Sequence, residues 1–163
     1  MTPRATHLSA AATLVAAVPV AVWGLLGRQD AEGFSASELD YAYRPLDISD
    51  GAAAVVGVVA LLLAGVGGAL LVRASRRGEL ERRWWEVLAP LMPAGVIVGV
   101  GWRVLTAGVL GVNVGAGLTV LFGGPVVAGL LLWALVRGIW PANRRTAGHY
   151  RRGQQIEFAP REA

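Results

Sequence analysis

Apolar residues in this chain are gathered into four long blocks, and they are not spaced at the period of an amphipathic helix or strand. A helix rises about 1.5 Å per residue, so a block of about twenty apolar residues matches the hydrocarbon thickness of a bilayer. The pattern predicts membrane spans at about residues 8–26, 51–72, 85–110 and 114–137. The predicted fold class is all-α, a polytopic membrane protein built as a four-transmembrane-helix bundle.

The first block has a second interpretation. It follows Arg4, as the apolar region of a cleaved signal peptide follows a basic residue. Its nineteen uncharged residues, Leu8 to Leu26, form a longer stretch than the roughly 7–15 residues of such a region. We therefore favour a retained helix, and three spans remain if the segment is removed.

The distribution of arginine predicts the orientation of the bundle. All fifteen basic residues are arginine: residues 73–86 carry five and residues 137–163 carry six. Loop 28–50 carries two, against six acidic residues. Arginine-rich connections stay in the cytoplasm, which predicts cytoplasmic termini and an outer loop at 28–50, with a tight outer turn at 111–114.

Composition narrows the location and the partners. Abundant Ala, Gly, Val, Pro and Arg together are typical of a GC-rich genome, and we expect a multi-pass protein of a bacterial inner membrane. The net charge of +4 favours the membrane surface over nucleic acid as the partner of the arginines. Paired arginines in a basic cytoplasmic tail, residues 142–163, are predicted to attract anionic lipid.

The outer loop contains a helix-start signal. Ser35 and Glu38 have the spacing of a capping box, which predicts a short outer-loop helix. Ser49 or Asp50 is expected to cap the second span. The alternative is a disordered acidic linker, against which the aromatic content of the loop argues.

Arg103 is the only charge between Val87 and Val136. A charged side chain inside a span needs an anionic partner or a water-filled cavity. We expect an ion pair with Asp47 or Asp50, which open the neighbouring span on the same side. The alternatives are an anchor that reaches the headgroups beside Trp102, and a ligand or ion site.

Tryptophans predict where the helices meet the membrane–water interface, and small residues predict where the helices pack closely. We expect Trp84, Trp85 and Trp140 to form a cytoplasmic belt and Trp102 to lie at the outer interface. Spacings that allow close helix packing occur three times. They are Gly95-x-x-x-Gly99, Gly111-x-x-x-Gly115 and Ala64-x-x-x-Gly68. Pro125 is predicted to kink the fourth span.

Motifs for chemistry are missing from the sequence. There is no cysteine, no nucleotide fingerprint and no hydrolase or zinc-protease motif, and both histidines lie near the termini. We therefore expect neither catalysis nor a cofactor or bound metal. The predicted function is an accessory or protein-interaction subunit that contacts a membrane-protein partner, or a second copy, through the acidic outer loop. The alternative is a small transporter or ligand-binding bundle centred on Arg103.

Overall fold

A computed structural model describes residues 3–31, 33–34, 39–80, 83–110 and 113–139. Four helices in these residues are long and apolar enough to cross a membrane, which confirms that part of the prediction. The helices are α1 (Pro3–Leu26), α2 (Asp50–Arg76), α3 (Arg83–Leu105) and α4 (Val114–Ile139). A short antiparallel sheet pairs β1 (Asp40–Tyr41) with β2 (Gly108–Val109).

Helix α1 lies in the middle of the bundle. It packs extensively against both α2 and α3, whereas α4 packs against α3. Successive helices run in opposite directions, so the loop with β1 and the turn with β2 share one end of the bundle. We call this the acidic end, and the opposite end, at residues 73–86, the arginine-rich end.

The interface between α1 and α2 is built from small residues. Buried positions on both helices recur at alternating steps of three and four, the spacing of a coiled-coil seam. On α2 they are Ala53, Gly57, Ala60, Ala64, Gly67, Leu71 and Ala74. On α1 they include Ala10, Leu14, Ala17 and Ala21. The backbones touch at Gly24, where an added Cβ would lie 2.5 Å from the Cα of Gly57.

Two of the predicted glycine positions lie where α3 meets α1. A Cβ at Gly99 would lie 2.7 Å from the carbonyl oxygen of Pro19, and one at Gly95 would crowd Val18. At the predicted Ala64-x-x-x-Gly68 pair, Ala64 is buried as expected, but the glycine that approaches α1 is Gly67 and not Gly68, because Gly67 belongs to the buried seam. Gly111 lies outside the described residues.

Helix α4 is attached to one side of the bundle. Gly101 of α3 approaches Thr119, and at the arginine-rich end Arg137 forms a salt bridge with Glu86 at 3.2 Å. A π-helical turn, Thr119–Gly123, lies just before Pro125. A distorted turn is expected there, because proline lacks an N–H and its ring crowds the preceding turn.

The loops at the acidic end differ from the expected ones. Ser49 caps α2 as predicted, accepting from Ala52 N at 3.3 Å. The short outer-loop helix is not confirmed: residues 35–38 lie outside the described residues, and the chain beyond them enters β1. Helix α3 ends at Leu105, so the following residues can turn back and pair with β1. Residues 140–163, with Trp140 and the tail, lie outside the described residues.

The contact between Gly24 and Gly57 predicts a position-specific effect of adding a methyl group. Gly57→Ala should lower the free energy of unfolding by about 1–3 kcal/mol, because two backbones must separate. Gly65→Ala in the same helix is the matched control, since nothing lies within 4 Å of its added Cβ. The control should be neutral or stabilising by up to about 1 kcal/mol through helix propensity.

Thermal unfolding of the detergent-solubilised protein, followed by circular dichroism, measures both variants. Equal stability of Gly57→Ala and Gly65→Ala would contradict the close approach of α1 and α2.

Candidate functional site

Arg103 binds the end of helix α1. The last four carbonyl groups of a helix have no partner within it, and α1 ends at Leu26 before Gly27, whose φ is +66°. The Nε of Arg103 donates to the carbonyl oxygen of Trp23 at 2.5 Å. Gln29 Nε2 donates to the carbonyl oxygen of Leu26 at 3.0 Å. Arg103 therefore acts as a cap, and the negative end of the helix dipole stabilises its charge.

The side chain of Trp23 provides a second contact. The guanidinium carbon of Arg103 lies 4.7 Å from the centroid of the Trp23 ring, and Arg103 is only 6% exposed. A cation over an indole contributes about 0.5–2 kcal/mol, with the larger value where water is excluded. One residue of α1 thus offers both an acceptor and a π face to the arginine of α3.

The carboxylates predicted to pair with Arg103 lie elsewhere. Among the described residues, no carboxylate oxygen lies within 4 Å of its guanidinium. Asp50 instead contacts Arg28, with 3.4 Å between Oδ1 and Nε, because Arg28 follows α1 directly above the start of α2. Asp50 and Asp30 attract the charge of Arg103 from a longer distance. Asp47 is exposed.

A small cavity adjoins the buried arginine. The Nη2 of Arg103 is buried and has no hydrogen-bond partner. The cavity has a volume of about 10 Å³, enough for about one water molecule, and its wall includes Trp23, Arg28, Trp102 and Thr106. The Thr106 hydroxyl already donates to the carbonyl oxygen of Trp102 at 2.8 Å. The described residues around the cavity therefore leave one guanidinium nitrogen for another partner.

The acidic loop covers this region through backbone and side-chain contacts. Tyr43 N donates to the carbonyl oxygen of Leu105 at 3.2 Å, and the Tyr43 ring stacks on Trp102 with 6.4 Å between centroids. Gly108 N donates to Asp30 Oδ1 at 2.8 Å, beside the strand pairing of β1 and β2. The loop is therefore held against the ends of α1 and α3.

Asn113 joins the ends of α3 and α4. Its Oδ1 accepts from Ala116 N at 2.8 Å and so caps α4. Its Nδ2 donates to the carbonyl oxygens of Val104 and Ala107, at 3.2 and 3.3 Å. An asparagine directly before an apolar block is a typical helix cap, so the cap of α4 can be predicted from the sequence, whereas the bonds to α3 cannot.

The tryptophans predicted at the arginine-rich end, Trp84 and Trp85, are half-buried. Trp85 Nε1 donates to Ser75 Oγ at 3.1 Å, and Trp84 packs against the core. Nearby, His7 Nε2 lies 3.7 Å from Glu79 Oε2. Within the described part of the chain, no three His, Asp or Glu side chains are grouped so that they could hold a metal ion.

Comparison with known proteins yields no relative: no family model, curated protein or solved structure matches this chain. Its function is therefore argued from its own residues.

Double-mutant cycles test which residue is the partner of Arg103. Arg103→Met and Trp23→Leu should be non-additive, with a coupling of about 0.5–2 kcal/mol, because each removes one side of the cation–π contact. Arg103→Met and Asp50→Asn should be closer to additive, because Asp50 contacts Arg28. Thermal unfolding in detergent measures both cycles. A larger coupling with Asp50 than with Trp23 would favour the direct ion pair instead.

Proposed function

We propose that this chain is a small integral membrane protein without catalytic activity, acting as an accessory or interaction subunit through its acidic end. In this proposal it crosses a bacterial inner membrane four times with both termini in the cytoplasm. The partner is another membrane protein, and a second copy of the chain is the alternative partner.

The surface of α4 supports the membrane location. Only 6% of its most apolar stretch is buried within the protein, against 28–33% for the other three helices. Leu121, Phe122 and Leu132 are all strongly exposed. A continuous apolar surface of this size is not stable in water, so lipid or a partner helix must cover it.

The central position of α1 supports a retained first span. Ala10, Leu14, Ala17 and Ala21 contribute to the core cluster, and α1 separates α2 from α3. Removal of α1 as a signal peptide would delete the helix against which both neighbours pack. The retained helix is therefore the favoured alternative.

The observation that supports the interaction role is the way residues 39–50 of the acidic loop are held against the bundle. Backbone pairing and the Arg28 side chain, which donates to the carbonyl oxygen of Ile48 at 3.2 Å, hold the loop in place. Tyr43 and Leu46 nevertheless remain more than 60% exposed beside the exposed Asp47. A positioned loop that presents large apolar groups among acidic ones is typical of a binding surface.

The small volume of the cavity at Arg103 argues against the alternative function, a transporter or ligand-binding bundle for an organic molecule. Ligand pockets for small organic molecules have volumes of about 300–1,000 Å³. The cavity here has about 10 Å³. A transporter or ligand-binding bundle would need a second conformation in which the cavity is much larger.

Reporter fusions test the proposed orientation. A reporter after Gly33 should be external, and reporters after Gly78 and Ala163 should be cytoplasmic, because arginine-rich connections are retained inside. Paired phosphatase and fluorescent-protein reporters measure this in intact cells. An external C-terminus would contradict the four-span orientation.

Site-specific crosslinking tests the interaction surface. A photoreactive residue in place of Leu46 should crosslink one defined membrane protein, which should also copurify from gently solubilised membranes. Asp47→Arg should reduce this product about tenfold or more, since a reversed charge at an interface costs more than about 1.4 kcal/mol.

A photoreactive residue in place of the exposed Arg77, at the arginine-rich end, is the matched control and should not give the same product. Equal crosslinking from both ends, or an unchanged product with Asp47→Arg at the same membrane level, would contradict the proposal.

A further inference from the structure

Two arginines at the arginine-rich end have no ionic partner within the described part of the chain. Arg73 lies in the last turn of α2 and Arg77 is the C-cap that follows it, and both are exposed. No described carboxylate oxygen lies within 4 Å of either guanidinium. The nearby Glu79 contacts His7 instead, with 3.7 Å between Oε2 and Nε2. Both arginine charges therefore remain available to a group outside the protein.

The end of α2 does not account for the position of these two side chains. A helix C-terminus attracts cations, but backbone N–H groups already bond the carbonyl oxygens of Arg73, Ala74 and Ser75. Residues four apart are neighbours on a helix surface, where like charges repel each other. An anionic group between Arg73 and Arg77 offsets that repulsion. The retention of arginine in the cytoplasm accounts for the number of arginines but not for their common face.

The same face of α2 is apolar and open below the two arginines. Counting back from Arg73 in steps of three and four leads to four apolar side chains, each 47–59% exposed. They are Leu70, Val66, Leu63 and Val59, and we call them the apolar row. The row covers eleven residue steps, or about 16 Å, which is about half of the hydrocarbon thickness. Its length therefore matches an acyl chain within one leaflet.

We propose that this face of α2 binds one anionic phospholipid, with its phosphate between Arg73 and Arg77 and an acyl chain along the apolar row. The two guanidiniums favour a headgroup of net negative charge, whereas a zwitterionic headgroup adds an ammonium group that they repel. The apolar row favours a lipid over free phosphate. The proposal rests on the proposed membrane location, and in the proposed orientation the lipid belongs to the cytoplasmic leaflet. It does not depend on the interaction at the acidic end.

Lipid titration of the delipidated protein in an uncharged detergent tests the site. Phosphatidylglycerol and phosphatidylcholine with identical acyl chains are added separately, and native mass spectrometry counts the lipid molecules that each protein retains. One phosphatidylglycerol should bind with a Kd lower than that of phosphatidylcholine by about tenfold or more, because each arginine contributes about fivefold. Inorganic phosphate and glycerol 3-phosphate at the same concentration should not displace it.

Four variants assign the binding to this face of α2. Arg73→Gln and Arg77→Gln should each raise the Kd for phosphatidylglycerol about fivefold and leave that for phosphatidylcholine unchanged. Arg76→Gln is the matched control, because it removes the same charge from the same turn but lies about a quarter-turn from the apolar row. It should retain the wild-type Kd. Leu70→Gln keeps both arginines and should weaken the binding of phosphatidylglycerol, because it makes the apolar row polar.

Three outcomes would overturn the proposal. Equal Kd values for the two lipids mean that the headgroup is not selected. An equal loss in Arg76→Gln and Arg73→Gln means diffuse attraction to the basic end. Displacement by inorganic phosphate, with no effect of Leu70→Gln, means an ion site without a lipid. Any of these together with the expected reporter orientation overturns the lipid site alone, whereas an error in the membrane location appears first in the reporter fusions.

Discussion

The carbonyl end of α1 imposes the constraint on which the acidic end of the protein depends. This helix end lies beneath a folded loop, where unpaired carbonyl groups are costly, and α3 supplies the donor through Arg103. The same contact fixes the relative position of α1 and α3 at this end. Trp102, next in sequence to Arg103, then stacks on Tyr43 and so connects the helix contact to the acidic loop.

Small residues explain why α1 can lie between two helices. In lipid, apolar side chains gain little from contact with one another, so helices associate through close backbone approach and hydrogen bonds. Gly24 and Gly57 permit that approach to α2, and Gly99 permits it to α3. Helix α4 lacks a comparable close contact over most of its length and presents most of its surface outward. The bundle is thus tight around α1 and open at α4.

Features set by local composition, such as the spans and the cap of α2, could be predicted from the sequence. Contacts between distant segments could not. The spans follow from block length, and the Ser49 cap follows from its position before an apolar block. The α1–α2 seam was also readable, as a repeat from Ala53 to Ala74, but a single Ala64-x-x-x-Gly68 match obscured it. The partner of Arg103 was not readable, because a backbone carbonyl has no sequence signature. The pairing of β1 with β2 joins segments about seventy residues apart, which no local pattern indicates.

The carboxylates of the acidic end are of two kinds, those bonded within the protein and those exposed at its surface. Asp50 and Asp30 are used within the protein, on Arg28 and on the backbone of β2. Asp40 and Asp47 are exposed, and neither forms a salt bridge among the described residues. Exposed carboxylates therefore lie at the surface of the acidic end, while Arg28 and Arg103 lie underneath. Arg28 bonds the backbone of the loop that carries those carboxylates, and Arg103 bonds the end of α1 from which the loop starts. The inner cations therefore fix the position of the outer carboxylates without contacting them.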